Sequence, residues 1–167
     1  NRDASGKMTP LPKPSIDTGL GLERMVTLLQ DVPTNYDTDL ILPIIEKTEE
    51  LSEKRMGVSA KDDVAMKVIA DHSRAAAFLI GDGVLPSNEG RGYVLRRIMR
   101  RAIRYGRNIE LKKPFLDVTA SVVFDIMKDA YPELIASKAF ITNVIHNEET
   151  RFSKTLDFGL TLLNDTL

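Results

Sequence analysis

Apolar residues recur every three to four positions along most of the chain after residue 20, the period of one face of a helix. Leu22, Met25, Val26 and Leu29 mark a first short helix over 20–29, which Pro33 and Asn35 bring to an end. A second is predicted over 38–53 with Asp37 or Thr38 as its cap, although Pro43 falls late for a first turn and draws the true start toward itself. Residues 57–61 read as linker, and "KDDVAMKVIADHSRAAAFLIGDG" predicts a long, mostly buried helix stopped at Gly81-Asp82-Gly83. After the loop "VLPSNEG", Ser87 or Asn88 is the predicted cap of the next helix and Gly106 its stop. Two further helical stretches are predicted, over 114–130 and from Pro132 to the C-terminus with a break near Gly159. In the last, Phe140, Val144, Phe152, Leu156 and Leu160 are spaced for packing.

Residues 8–18, "MTPLPKPSIDT", resist that reading, because three prolines favour an extended chain with room for a short strand before Gly19. The predicted fold class is therefore all-α: a helical bundle preceded by a short extended or strand segment. A chain of 167 residues suffices for one well-buried domain and a fragment of another. No apolar run approaches the roughly 20 residues of a membrane-spanning helix. Cysteine is absent, which excludes disulfides, and His72 and His146 have no ligand spacing around them, so no metal site is expected. His72, among apolar neighbours, reads as a hydrogen-bonded core histidine, and His146 as a lone side chain on a polar face. The opening "NRDASGKMTP" has neither an initiating Met nor a leader pattern and reads as the interior of a longer protein.

Charge changes the picture in one place. The net charge is −1, but residues 91–107, "RGYVLRRIMRRAIRYGR", hold seven of the 23 basic residues and none of the 24 acidic ones. Stepping about 100° per residue gathers Arg96, Arg97, Arg100, Arg101, Arg104 and Arg107 within roughly 140° of the wheel, with the apolar residues opposite. Six unpaired guanidiniums on one face repel one another. Two partners answer them: a nucleic-acid backbone, or the chain's own carboxylates on neighbouring helices.

The other chemistry-bearing stretch is "SIDTGLGLERM", residues 15–25. A Walker loop needs G-x-x-x-x-G-K-[ST], and a dinucleotide fold needs a third glycine where Arg24 stands, inside a βαβ unit that the helical sequence downstream does not supply. What remains is a loop or strand meeting a helix, with glycines open to close approach by a ligand and a guanidinium suited to phosphate one turn in. The plainer alternative is a turn followed by a solvated Glu23-Arg24 surface pair.

"DTGLGLER", residues 17–24, resembles motif 3 of the class II aminoacyl-tRNA synthetases in the form used by the alanyl-tRNA synthetases. "NYDTDL" (35–40), "VIADHSRAAAFLIGDG" (68–83), "PSNEGRGYVLRRIMRRAIRYG" (86–106) and "EETRFSKTLDFGLTLL" (148–163) are similar to the same family in order and spacing. The likeness implies that residues 1–31 end a catalytic domain and that 32–167 form a helical domain recognising the tRNA acceptor stem. It implies Asp17 and Gly19 at the alanine site, Gly21 and Arg24 at the ATP site, and a cytoplasmic ligase using ATP with Mg2+. It also implies tRNA(Ala) as partner, met by Asn88, Arg91, Arg96, Arg97, Arg100, Arg101 and Arg104. Asn88 carries the selectivity for a G·U wobble pair, together with a carboxylate expected beyond Leu167, or else serves only to cap the helix. The piece alone is expected to hold no catalytic residue, because the other signature motifs of the class are missing from it. The competing function is a helical protein-interaction module whose arginines are paired internally.

Overall fold

A computed structural model describes residues 4–10, 13, 15–16 and 18–166. Among them are seven α-helices and one 3₁₀ turn, and no β-strand beyond an isolated bridge position at Met8. The predicted strand before Gly19 is therefore not formed by the described residues, and the all-α class holds.

Helix α1 (Leu22–Leu29) starts behind an extended Gly21 and buries none of its residues. The 3₁₀ turn Asn35–Asp37 is closed by a capping box: Thr34 Oγ1 accepts from Tyr36 N–H, and Asp37 Oδ2 accepts from Thr34 N–H. Helix α2 (Leu42–Ser52) carries Pro43 in its first turn, where proline is favoured because its missing N–H would have no partner anyway. The earlier start at Thr38 is thereby corrected. Helix α3 (Ala60–Gly81) is capped by Ser59, which accepts from Asp62 N–H, and Asp62 and Asp63 face the positive end of its dipole.

Helix α4 (Gly90–Asn108) carries the arginines. Its N-cap is Glu89 with no side-chain cap bond, so neither Ser87 nor Asn88 caps it. Ser87 instead donates to Glu89 O, and the loop lies so close that a Cβ on Gly92 would stand 2.2 Å from Leu85 O. Nor does Gly106 stop the helix. It is buried two residues before the end, where a side chain would strike the Phe115 ring at 2.3 Å. The chain leaves α4 through Glu110, with φ at 70°. Helices α5 (Leu116–Met127), α6 (Pro132–Ala136) and α7 (Lys138–Thr166) follow, and α7 runs through Gly159 unbroken.

Helix α3 is the hub, packing on α2, α4, α5, α6 and α7, most extensively on α4. The core between them includes Ile45, Met66, Ile69, Leu95, Met99 and Phe124, all fully buried. Ser73 on α3 and Thr119 on α5 satisfy one another at 2.8 Å inside it. From α7 the core takes Ile141 and Ile145, while Phe140 and Leu160 are exposed, so the packing face lies to one side of the predicted row.

Candidate nucleic-acid interface

The arginine face of α4 is divided by α7. Glu148, only 4% exposed, reaches Arg96 Nε at 3.2 Å and accepts from Arg100 Nε at 3.0 Å. The Arg96 contact is an ion pair without hydrogen-bond alignment, and that Nε has no hydrogen-bond partner. Arg107 donates to Asp157, between two and three turns further along α7, at 3.0 Å. A face read as six unpaired guanidiniums thus has three of them matched from one neighbouring helix. Arg91, Arg97, Arg101 and Arg104 make no ion pair among the described residues, and all four are exposed.

Aromatic rings hold several of these side chains in place. Arg97 lies over Tyr93 at 5.8 Å, Arg101 over Tyr105 at 5.7 Å, and Arg100 over Phe152 at 4.9 Å. A guanidinium seated on a ring loses less rotamer freedom when an anion arrives, and its N–H edge stays available. His72, on α3 beneath this surface, has Nδ1 at 2.8 Å from Asp71 Oδ2. That contact, with Arg74 and Arg101 nearby, holds the Asp71 carboxyl below its ordinary range against the opposing effect of burial. His72 is therefore neither a core histidine nor a free one.

Asn88 is exposed just ahead of the helix. Arg96 donates to Asn88 Oδ1 from one terminal nitrogen and to Pro86 O at 3.2 Å from the other. The amide oxygen is held, and the amide nitrogen remains to donate to a ligand.

The glycine stretch is less assembled. Arg24 is exposed on α1, with its stem against Gly21, where an added Cβ would meet Arg24 Cδ at 3.7 Å. A Cβ on Gly19 would meet nothing within 4 Å, and Asp17 lies outside the described residues. Glu23 does not pair with Arg24. It accepts from Arg74 of α3, and its own backbone N–H and that guanidinium hold its carboxyl below the usual range.

Several charged groups escaped sequence reasoning. Glu149, 1% exposed, accepts from Phe115 N–H at 3.1 Å and Leu116 N–H at 2.9 Å, serving the start of α5 from another helix. Burial pushes its pKa up to about 7, against those two hydrogen bonds. A clue was present in the spacing, since Glu148 and Glu149 stand one turn beyond Ile145 on the stripe that begins at Ile141. His146 is not alone either, its Nδ1 lying 3.0 Å from Asp117 Oδ2.

A family model described as class II (A) tRNA synthetases matches residues 1–167. The chain belongs to the class II tRNA synthetases. Among its relatives, an alanine–tRNA ligase of Desulfosudis oleivorans is 65% identical over all 167 residues, and those of Exiguobacterium sibiricum and Bacillus pumilus are 56% identical over 164 residues and 53% over 167. The chain spans 19% of the length of each of these three. As a synthetase segment it is not favoured as a mere protein-interaction module, and the four unpaired arginines agree with that. No described helix is long and apolar enough to cross a membrane.

Proposed function

We propose that this chain is an internal stretch of a cytoplasmic alanine–tRNA ligase, in which residues 1–31 contribute motif 3 and residues 32–167 bind the tRNA(Ala) acceptor stem. The observation that carries the reading is the sorting of the arginine helix: three guanidiniums are tied to α7, and four exposed ones stand beside an exposed amide whose oxygen is already held. Phosphates look alike at every position, so the free arginines supply affinity and orientation. A fixed amide can instead read a base edge through the wide minor groove of A-form RNA, which makes Asn88 the residue that tells G·U from G·C.

In the ligase, Arg24 opposes the ATP triphosphate, with Gly21 leaving room beside it, and Asp17 and Gly19 take the alanine ammonium end. ATP arrives with Mg2+, whose positive charge offsets that of the phosphates. Among the described residues no group of three or more carboxylates or histidines could hold a metal. The test is equilibrium binding by the full-length ligase, which includes the carboxylate expected beyond Leu167, to tRNA(Ala) and to a transcript whose wobble pair is changed to G·C. Tighter binding to the G·U form, weakened by salt, supports the reading, and equal, salt-insensitive binding overturns it.

A further inference from the structure

Between α3, α4 and α7 the exposed arginines do not rest on a flat surface. Three of them, Arg97, Arg101 and Arg104, rim an open cavity of about 620 Å³. Arg97, Arg101 and Arg104 supply charge without a carboxylate partner among the described residues, while Val94, Ile98 and Phe152 supply an apolar wall. His72 lines the same space and is 14% exposed, with Nδ1 committed to Asp71, so Nε2 is the ring atom left for a ligand. Contacts to a phosphodiester backbone need only a charged ridge. An open, partly apolar space beside that ridge would be left to water by phosphates alone, and it has the size range of a small-molecule site.

We propose that this cavity takes one unstacked nucleotide, its phosphate on Arg97, Arg101 and Arg104 and its base inside against Val94, Ile98 and the arginine planes that lie over Tyr105 and Phe152. Bases stack on guanidinium planes as they do on aromatic rings, and here the planes are ordered beforehand by the rings beneath them. The proposal rests on the RNA-binding reading for the source of the nucleotide. A free mononucleotide would satisfy the same chemistry.

The experiment titrates the protein at fixed ionic strength with uridine monophosphate, with inorganic phosphate and with tRNA(Ala). Variants Val94→Phe and Arg104→Gln are run beside the wild type. Val94 is half exposed, so Phe fills the cavity without disturbing the core or the charges. The nucleotide is expected to bind about tenfold tighter than phosphate. Val94→Phe should erase that advantage while leaving phosphate affinity unchanged, whereas Arg104→Gln should weaken both ligands alike. Nucleotide and phosphate of equal affinity, or an advantage that survives Val94→Phe, overturns the proposal even if tRNA still binds. A nucleotide advantage that tRNA cannot compete away keeps the site but overturns the RNA source, and with it the acceptor-stem reading.

Discussion

Arg96 donates to Asn88 Oδ1 while Glu148 stands behind it, so the orientation of the Asn88 amide depends on a residue that need not touch the ligand itself. Replacing Asn88 with Ala should shrink the difference in affinity between the G·U and G·C transcripts by about 1–3 kcal/mol without altering the salt dependence. Arg96→Ala should shrink it as well, because the freed amide rotates. Competition binding of the two transcripts at one salt concentration checks both variants, and a full-size gap in Asn88→Ala would place the selectivity elsewhere. Glu149 supplies a second single-residue test. Its folded pKa of about 7 lies above the ordinary 4.5, so between those values the unfolded chain releases a proton that the folded one keeps. The stability it contributes is fully present below about pH 4.5 and falls by up to about 3 kcal/mol as pH rises to 7. Glu149→Gln keeps an acceptor for Phe115 and Leu116 N–H and should remove that fall, as urea unfolding at pH 5, 6, 7 and 8 would reveal.

The seven arginines of 91–107 divide at the scale of the element into those that hold α4 against α7 and those left for a ligand. Ala at Arg97, Arg101 or Arg104 should weaken both transcripts alike and reduce the salt slope by roughly one counterion each. Ala at Arg107 should leave the slope nearly unchanged, since Asp157 already neutralises it. Glu148→Ala strips Arg96 and Arg100 of their shared carboxylate and should cost about 2 kcal/mol of stability, less than a wholly buried pair because Arg100 is 38% exposed. Urea unfolding of these variants, beside salt titrations of RNA binding, separates the two sets. Helix α1 follows a different rule. With no buried residue, it meets α3 through the Glu23–Arg74 pair, while Thr27 Oγ1 donates to Asn35 Oδ1 at 2.9 Å.

At the scale of the whole molecule, the chain carries a helical core with two attached chemistries, of which only the arginine face is assembled within the described residues. Arg24 and Gly21 adjoin, whereas a Cβ on Gly19 would meet nothing within 4 Å. This piece alone should therefore give no alanine-dependent pyrophosphate exchange. In a full-length ligase, Arg24→Ala should cost about 2–4 kcal/mol of transition-state stabilisation, and Lys should restore little because it cannot fork. Single-turnover adenylate formation measures that loss, and normal activation kinetics in the Ala variant would remove Arg24 from the ATP site.

Much of this was legible in the order of residues. Helical periodicity is a local property of the backbone, so the all-α class, the long α3 and the wheel of arginines could all be read before any packing was known. The likeness of residues 17–24 to motif 3 could be noticed as early, because the Gly-x-Gly spacing and the Arg are contiguous. Partnership was not. Glu148 meets Arg100 across 48 positions and His146 meets Asp117 across 29, distances over which no local period operates. Gly106 looked like a stop because glycine commonly ends helices, yet here the absence of a side chain admits the Phe115 ring. Sequence periodicity determined which side of α3 and of α4 is apolar. Only the tertiary packing decided which helix each side meets, and hence which carboxylates are buried, which arginines are neutralised and which stay free for an anion.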